Sequence, residues 1–297
     1  MLNDIIVKIV RLMPKSLVRV FANRYIAGDS LDDAVKLVKE LNSDGIMATM
    51  DVLGEAITSK VEAVEAQTKA MEVLKAISAN SLNSNLSIKP TQFGLMIDEE
   101  FCYKLVKELV EYATTINNFV RLDMEDSDTT DKIIALYTRL RKEYSNVGIV
   151  IQAYLRRSIA DAEKLNALDT NYRLCKGIYR EHESIAFHSK EEIRKNYMKV
   201  VEAMLTEGKF VGIATHDDTL IDASRQLIID KKIDDGKYEF QMLLGVREDL
   251  RRQIRKNNEK LRIYVPFGKD WYAYSIRRLK ENPNMAMDIT KNIFRIH

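Results

Sequence analysis

The chain has 297 residues, with 46 basic and 44 acidic side chains and a net charge of +2. That length suits one large α/β domain or two ordinary ones, and the near-zero charge gives no whole-chain reason to expect a nucleic-acid partner. Two widely separated cysteines, Cys102 and Cys175, and four histidines make neither a disulfide framework nor a metal-ligand spacing. This composition points to a globular protein of a reducing, cytoplasmic compartment.

The N-terminal MLNDIIVKIVRLMPKSLVRVF lacks a signal peptide's basic leader and small-residue cleavage site, and no stretch is long and apolar enough to span a membrane. Lys8, Arg11, Lys15 and Arg19 form a basic helical stripe against an apolar face, interrupted by Pro14. The pattern fits a helix packed on the protein's own body; its alternative is a peripheral contact on the inner face of the cell membrane. The helical pattern continues to about Leu41, with Asp29 or Ser30 capping LDDAVKLVKEL. These residues make an N-terminal helical segment, 1–44, ahead of the domain 45–297.

From there strands and helices alternate. The strands are Ile46–Val52, Asn85–Lys89 (stopped by Pro90), Phe119–Met124, Val147–Leu155, Tyr172–Lys176, Phe210–Thr215, Tyr238–Leu244 and Leu261–Pro266. The helices are Glu55–Ala79, Asp98–Asn117, Thr129–Tyr144, Ser158–Asp169, Lys190–Glu207, Thr219–Lys231, Arg247–Asn257 and a last one from Asp270 to Pro283. Eight strand–helix units with no low-complexity break predict an α/β fold of the (β/α)8 TIM-barrel type, with its last helix over the barrel mouth. A doubly wound open sheet is the alternative, and no GxGxxG follows the first strand to support it.

In such a barrel the reactive groups sit at the C-terminal strand ends. Those positions hold Asp51, Lys89, Asp123, Gln152, Arg173 with Lys176, His216, Gln241 and Tyr264. Carboxylates and cations gathered at one mouth perturb one another's ionisation. Lys89 can be a Schiff-base nucleophile, a carboxylate binder or a structural ion pair. Asp123 can be a base or the partner that fixes a cation, while Asp126 and Asp128 read as caps of the next helix. His216 can titrate or donate a hydrogen bond; Cys175 reads as packing. Gly177, after Lys176, suggests a loop where backbone approaches a ligand. On the last helix Trp271, Tyr274 and Arg278 share a stripe with Arg277 beside it, an arrangement suited either to a small carboxylate with an apolar body or to a solvated helix end.

Together, FVRLDMEDS, GIVIQAYLRRS, RLCKGIYRE, FVGIATHDD, YEFQMLLGVR and RIYVPFGKDWYAYSIRRLKENP resemble the proline dehydrogenase family in its monofunctional bacterial form. The resemblance runs in order from about residue 50 to Pro283 and leaves no room for the aldehyde dehydrogenase module of bifunctional members. It implies a barrel that holds FAD without a covalent link and oxidises L-proline to Δ1-pyrroline-5-carboxylate by hydride transfer to flavin N5. Electrons would then pass to a membrane quinone. By resemblance Lys89, Arg277 and Arg278 would hold the proline carboxylate, with Tyr264 walling the ring. Asp123 would orient the site's cations, and Arg173 would lie by flavin N5. Gln152 would meet the isoalloxazine edge. Met124, Lys176, Gly177, Tyr179, Thr215 and His216 would contact the cofactor, and Glu55 would pair with an arginine of the last helix as a gate. Competing readings are a flavin-free aldolase or lyase using Lys89 or Lys176, and a binding barrel that has lost catalysis.

Overall fold

The computed structural model describes residues 18–19, 22–54 and 57–281, with side chains as far as Ile276. Helix α1 (Leu31–Ser43) leads into strand β1 (Met47–Val52), and eight strands then alternate with helices. They run α2 (Lys60–Ala79), β2 (Ser84–Ile88), α3 (Glu99–Thr115), β3 (Val120–Leu122), α4 (Thr130–Arg141), β4 (Val147–Gln152), α5 (Ser158–Asn166) and β5 (Asn171–Cys175). Then come α6 (Lys190–Thr206), β6 (Phe210–Ala214), α7 (Asp218–Asp230), β7 (Tyr238–Leu243), α8 (Glu248–Lys256), β8 (Leu261–Phe267) and α9 (Trp271–Glu281). All eight strands pair in parallel in sequence order, and β1 closes on β8, with Thr49 opposite Tyr264. This is the predicted (β/α)8 barrel.

The helix starts follow local chemistry. Ser30 and Asp33 form a capping box ahead of α1, and Ser59 and Glu62 form another ahead of α2. The second box moves the start of α2 from the expected Glu55 to Lys60. Two further expectations are corrected. Strand β4 stops at Gln152 instead of Leu155, because Leu155 turns out to bridge Ala186. Asp126 and Asp128 do not cap α4; its N-cap is Thr129 without a side-chain cap bond, and the Asp126 carbonyl accepts from the Thr129 and Thr130 hydroxyls.

The strands' outward side chains and the helices make the apolar layer: Leu86, Leu122, Ile149, Leu174, Ile213 and Ile263 are all buried there. The inward residues are largely polar. Arg121 is fully buried, stacks on Phe119 at 4.8 Å, and donates to the Asn171 carbonyl and Oδ1 at 2.6 Å each. Desolvation, with Arg173 nearby, pushes its pKa down to about 9. Glu239 pairs with Arg262 at 2.5 Å and accepts from Gln241 at 2.7 Å. Gly148 and Gly212 leave the space that Arg121 and Gln241 fill.

Helix α1 covers the outside of β1 and β8 through Ala34, Val38 and Leu41. The last helix, α9, instead reaches the C-terminal mouth, where Tyr274 is buried. Among the described residues no helix is long and apolar enough to cross a membrane. Lys8, Arg11 and Lys15 lie outside them. Arg19, the fourth residue of the expected basic stripe, is tied to its own chain: it pairs with Asp29 at 2.5 Å and lies over Trp271 at 4.8 Å.

Candidate active site

The C-terminal strand ends enclose a cavity of about 860 Å³. It is lined by Lys89, Asp123, Tyr264, Met124, Gln152, Arg173, Lys176, Gly177, Tyr179, Thr215 and His216. Glu55 and the side chains of Arg277 and Arg278 lie outside the described residues. The structure therefore brings all the described members of the sequence-derived set into one space.

One side of the cavity, built by β8, β1, β2 and β3, is a charge-balanced network. Asp123 Oδ1 accepts from Ser87 Oγ at 2.6 Å and Arg173 Nη1 at 2.8 Å; its Oδ2 accepts from the Tyr264 hydroxyl at 2.7 Å. Both Asp51 oxygens accept from Lys89 Nζ at 2.7 Å, and that ammonium also lies 3.8 Å from Asp123. Arg173 donates further to Gln241 Oε1 at 2.6 Å and Thr49 Oγ1 at 3.4 Å, with its guanidinium 5.1 Å from the Tyr264 ring centre. Two cations and two carboxylates are thus held by oriented partners before any ligand arrives.

Burial works against a charged Lys89, but the Asp51 and Asp123 carboxylates outweigh it and lift the ammonium's pKa above its usual range. Burial pushes the Asp51 carboxyl up, against the pull of Lys89. Burial also holds the Tyr264 phenol well above 10, so it stays a donor to Asp123. A Schiff-base nucleophile must be a free amine at working pH. Lys89 is protonated, and Lys176 is ion-paired to Asp217, so neither suits the aldolase reading.

The other side comes from β4, β5 and β6. Gln152 donates through Nε2 to the Met124 and Glu125 carbonyls at 3.1 Å each, which turns its buried Oε1 away with no partner among the described residues. Gly177 has φ +104°, and a Cβ there would fall within the Tyr154 ring, so close packing on Tyr154 also demands a glycine at this edge of the cavity. The Cys175 thiol is pushed up to about 11 by burial and lies 3.7 Å from the Ile151 carbonyl, which suits packing rather than chemistry. His216 Nε2 accepts from the Leu243 N–H at 2.9 Å, so this nitrogen is an acceptor and a hydrogen bond donated by the ring would come from Nδ1.

Asp217 was not singled out, although the HDD run before a helix is an N-cap signal. It anchors two cavity cations: Lys176, and Arg194 of α6 through bonds of 2.7 and 2.9 Å. Burial would raise its pKa, but the bonds from Arg194 and Lys176 overcome that and hold it well below the usual carboxylate range. A depressed folded-state pKa stabilises the fold above the unfolded value of 3.8 and loses that contribution as pH falls below it. Asp217→Asn is therefore expected to lower Tm at about pH 7 and to shrink the Tm loss between about pH 5 and pH 3. Parallel Tm–pH curves for both proteins would refute the assignment.

Fold and site define a (β/α)8-barrel enzyme with a preorganised, ion-paired pocket at its mouth. The profile of the family described as proline dehydrogenase matches residues 34–291. Proline dehydrogenase 1 of Bacillus subtilis (strain 168) is 36% identical over 277 residues, 93% of this chain and 92% of that protein. The proline dehydrogenase of Deinococcus radiodurans is 33% identical over 279 residues, covering 92% and 90%. The crystal structure of proline utilization A from Bdellovibrio bacteriovorus, inactivated by N-propargylglycine, superposes with a TM-score of 0.84 at 26% identity. That match covers 89% of this chain and 33% of the larger one. The chain belongs to the proline dehydrogenase family and is an oxidoreductase of proline catabolism.

Proposed function

We propose that the enzyme uses non-covalently bound FAD to oxidise L-proline to Δ1-pyrroline-5-carboxylate, and that its electrons pass on to a membrane quinone. The observation that carries the cofactor reading is the buried Gln152 Oε1, which has no partner among the described residues, on a cavity of about 860 Å³, large enough for a dinucleotide. A buried amide oxygen without a partner costs free energy until a donor reaches it, and a flavin ring N–H is such a donor. The residues present fit the group. Met124, Gln152, Arg173, Lys176, Gly177, Tyr179, Thr215 and His216 would hold it. When bound, FAD supplies N5 as the hydride acceptor.

The chain's own groups supply position and charge. Lys89 would bind the substrate carboxylate together with Arg277 and Arg278. Tyr264 would wall the ring, and Asp123 would orient Arg173 and Tyr264. Arg173 would set a fixed positive charge where electron density grows. The proline carbon flanking nitrogen on the side away from the carboxylate loses a hydride, the nitrogen loses a proton, and a C=N bond forms. Glu55 would act as a gate, and residues 1–44 would be an adjunct to the barrel domain 45–297.

The purified protein is expected to be yellow, with a flavin absorbance that L-proline bleaches anaerobically and a short-chain quinone restores. Denaturation should release all the flavin as FAD, and N-propargylglycine should inactivate it. A colourless protein that stays inactive after FAD is added would overturn the proposal. The peripheral membrane contact is tested by co-sedimentation with anionic vesicles, which should weaken when Lys8, Arg11 and Lys15 are neutralised.

A further inference from the structure

We propose that Tyr25, on the segment ahead of the barrel, sets the size of ring that the substrate pocket admits. The inference rests on the proline-oxidation reading and adds a specificity determinant to it. Tyr25 precedes the residues 34–291 that carry the family match, so nothing in that match assigns it a role.

The placement is specific. Tyr25 is 1% exposed and lines the same cavity as Lys89, Asp123 and Tyr264. Its ring packs in a cluster with Leu53 and Tyr274, and Val246 and Trp271 back that cluster. Leu53 lies two residues beyond Asp51 on the β1 side, and Tyr274 comes from α9. Val246 follows β7, Pro266 lies on β8 and Leu53 follows β1, so Tyr25 stands over the arc of the barrel that carries Tyr264 and Asp51, the partner of Lys89. The proposed cofactor contacts come mainly from β4, β5 and β6, across the mouth.

The wall is also fixed. Arg24 Nε donates to the Gly245 carbonyl at 3.0 Å, and the Ala27 N–H to the Pro266 carbonyl at 2.9 Å. The Gly268 N–H donates to the Gly28 carbonyl at 3.0 Å. Gly245 has φ +72°, and a Cβ there would run into the Arg24 carbonyl. The loops after β7 and β8 thus clamp the segment on both sides of Tyr25. A phenol held this way is a rigid apolar wall, and a rigid wall discriminates by volume. One methylene against such a wall is worth about ten- to two-hundred-fold in kcat/KM.

The test compares L-proline with its six-membered-ring homologue L-pipecolate in the flavin-loaded enzyme, using an artificial electron acceptor. Tyr25→Ala is expected to raise the pipecolate-to-proline ratio of kcat/KM about tenfold or more, by raising KM for proline and admitting the larger ring. Tyr25→Phe should keep the wild-type ratio. Tyr25→Trp should lower it, and this variant keeps the test open if the alanine variant does not fold. A ratio within about twofold of wild type in both size variants, or equal losses on both substrates, overturns the inference. Wild-type enzyme that does not oxidise L-proline would instead overturn the underlying reading.

Discussion

Lys89→Met is expected to lower kcat/KM for L-proline by about two to three and a half orders of magnitude. Breaking a buried ion pair by removing one partner costs about 3–5 kcal/mol. Lys89 shares its charge between Asp51, which is 2% exposed, and Asp123. Without the ammonium, two buried carboxylates face a third one on the incoming substrate. A solvated surface pair would lose less than about 1 kcal/mol on the same change. The double variant Lys89→Met, Asp51→Asn separates the causes, because it removes the orphaned charge together with its cation. Recovery of part of the lost activity in the double variant is the expected coupling. The residual activity of the single variant should also shift to lower pH, since Asp51, already pushed up by burial, would be pushed further once unpaired. A loss below about threefold in the folded single variant would show that the ammonium is not part of substrate binding.

The barrel was legible because strand and helix periods alternate without a break, and a parallel barrel has one natural mouth. The strand ends taken in order therefore bring Asp51, Lys89, Asp123, Arg173, Gln241 and Tyr264 together from the sequence alone. What was not legible is how they are wired. The bonds of Arg173 to Thr49 and Ser87 join residues 124 and 86 positions apart, and local periodicity carries no trace of such pairs. The buried Arg121 read as an ordinary strand residue, because nothing local says that Gly148 on the next strand makes room for it. Gly177 was noticed for its backbone freedom, but its close packing on the Tyr154 ring, 23 positions earlier, was not legible. The N-terminal segment reads only as amphipathic helix; its course over β7 and β8 depends on backbone bonds to Pro266 and Gly268 that any sequence could make. Single charged side chains at strand ends are thus readable, and their partners across the barrel are not.

Asp123→Asn is expected to lower kcat for L-proline by about thirty- to one-hundred-fold while changing KM much less. Hydrogen bonds to charged groups are worth about 1.5–3 kcal/mol each, and the amide can keep only part of the set. Its oxygen can still accept from Ser87 and Arg173 at the Oδ1 position. Its NH2 group, however, would sit where Oδ2 now accepts from the Tyr264 hydroxyl at 2.7 Å. That phenol must then rotate to become an acceptor, and Arg173 loses its only carboxylate partner among the described residues. The guanidinium and the phenol are the groups proposed to face the reacting ring and the cofactor, so misorienting them affects the chemical step. Lys89 keeps both of its bonds to Asp51, so carboxylate binding, and with it KM, should hold. Tyr264→Phe cuts the same link from its other end. The two single losses should therefore fail to add in the double variant, because each removes one shared bond. Additive losses would mean that Asp123 and Tyr264 act separately, and a kcat within about threefold of wild type for Asp123→Asn would show that the negative charge at Asp123 is dispensable.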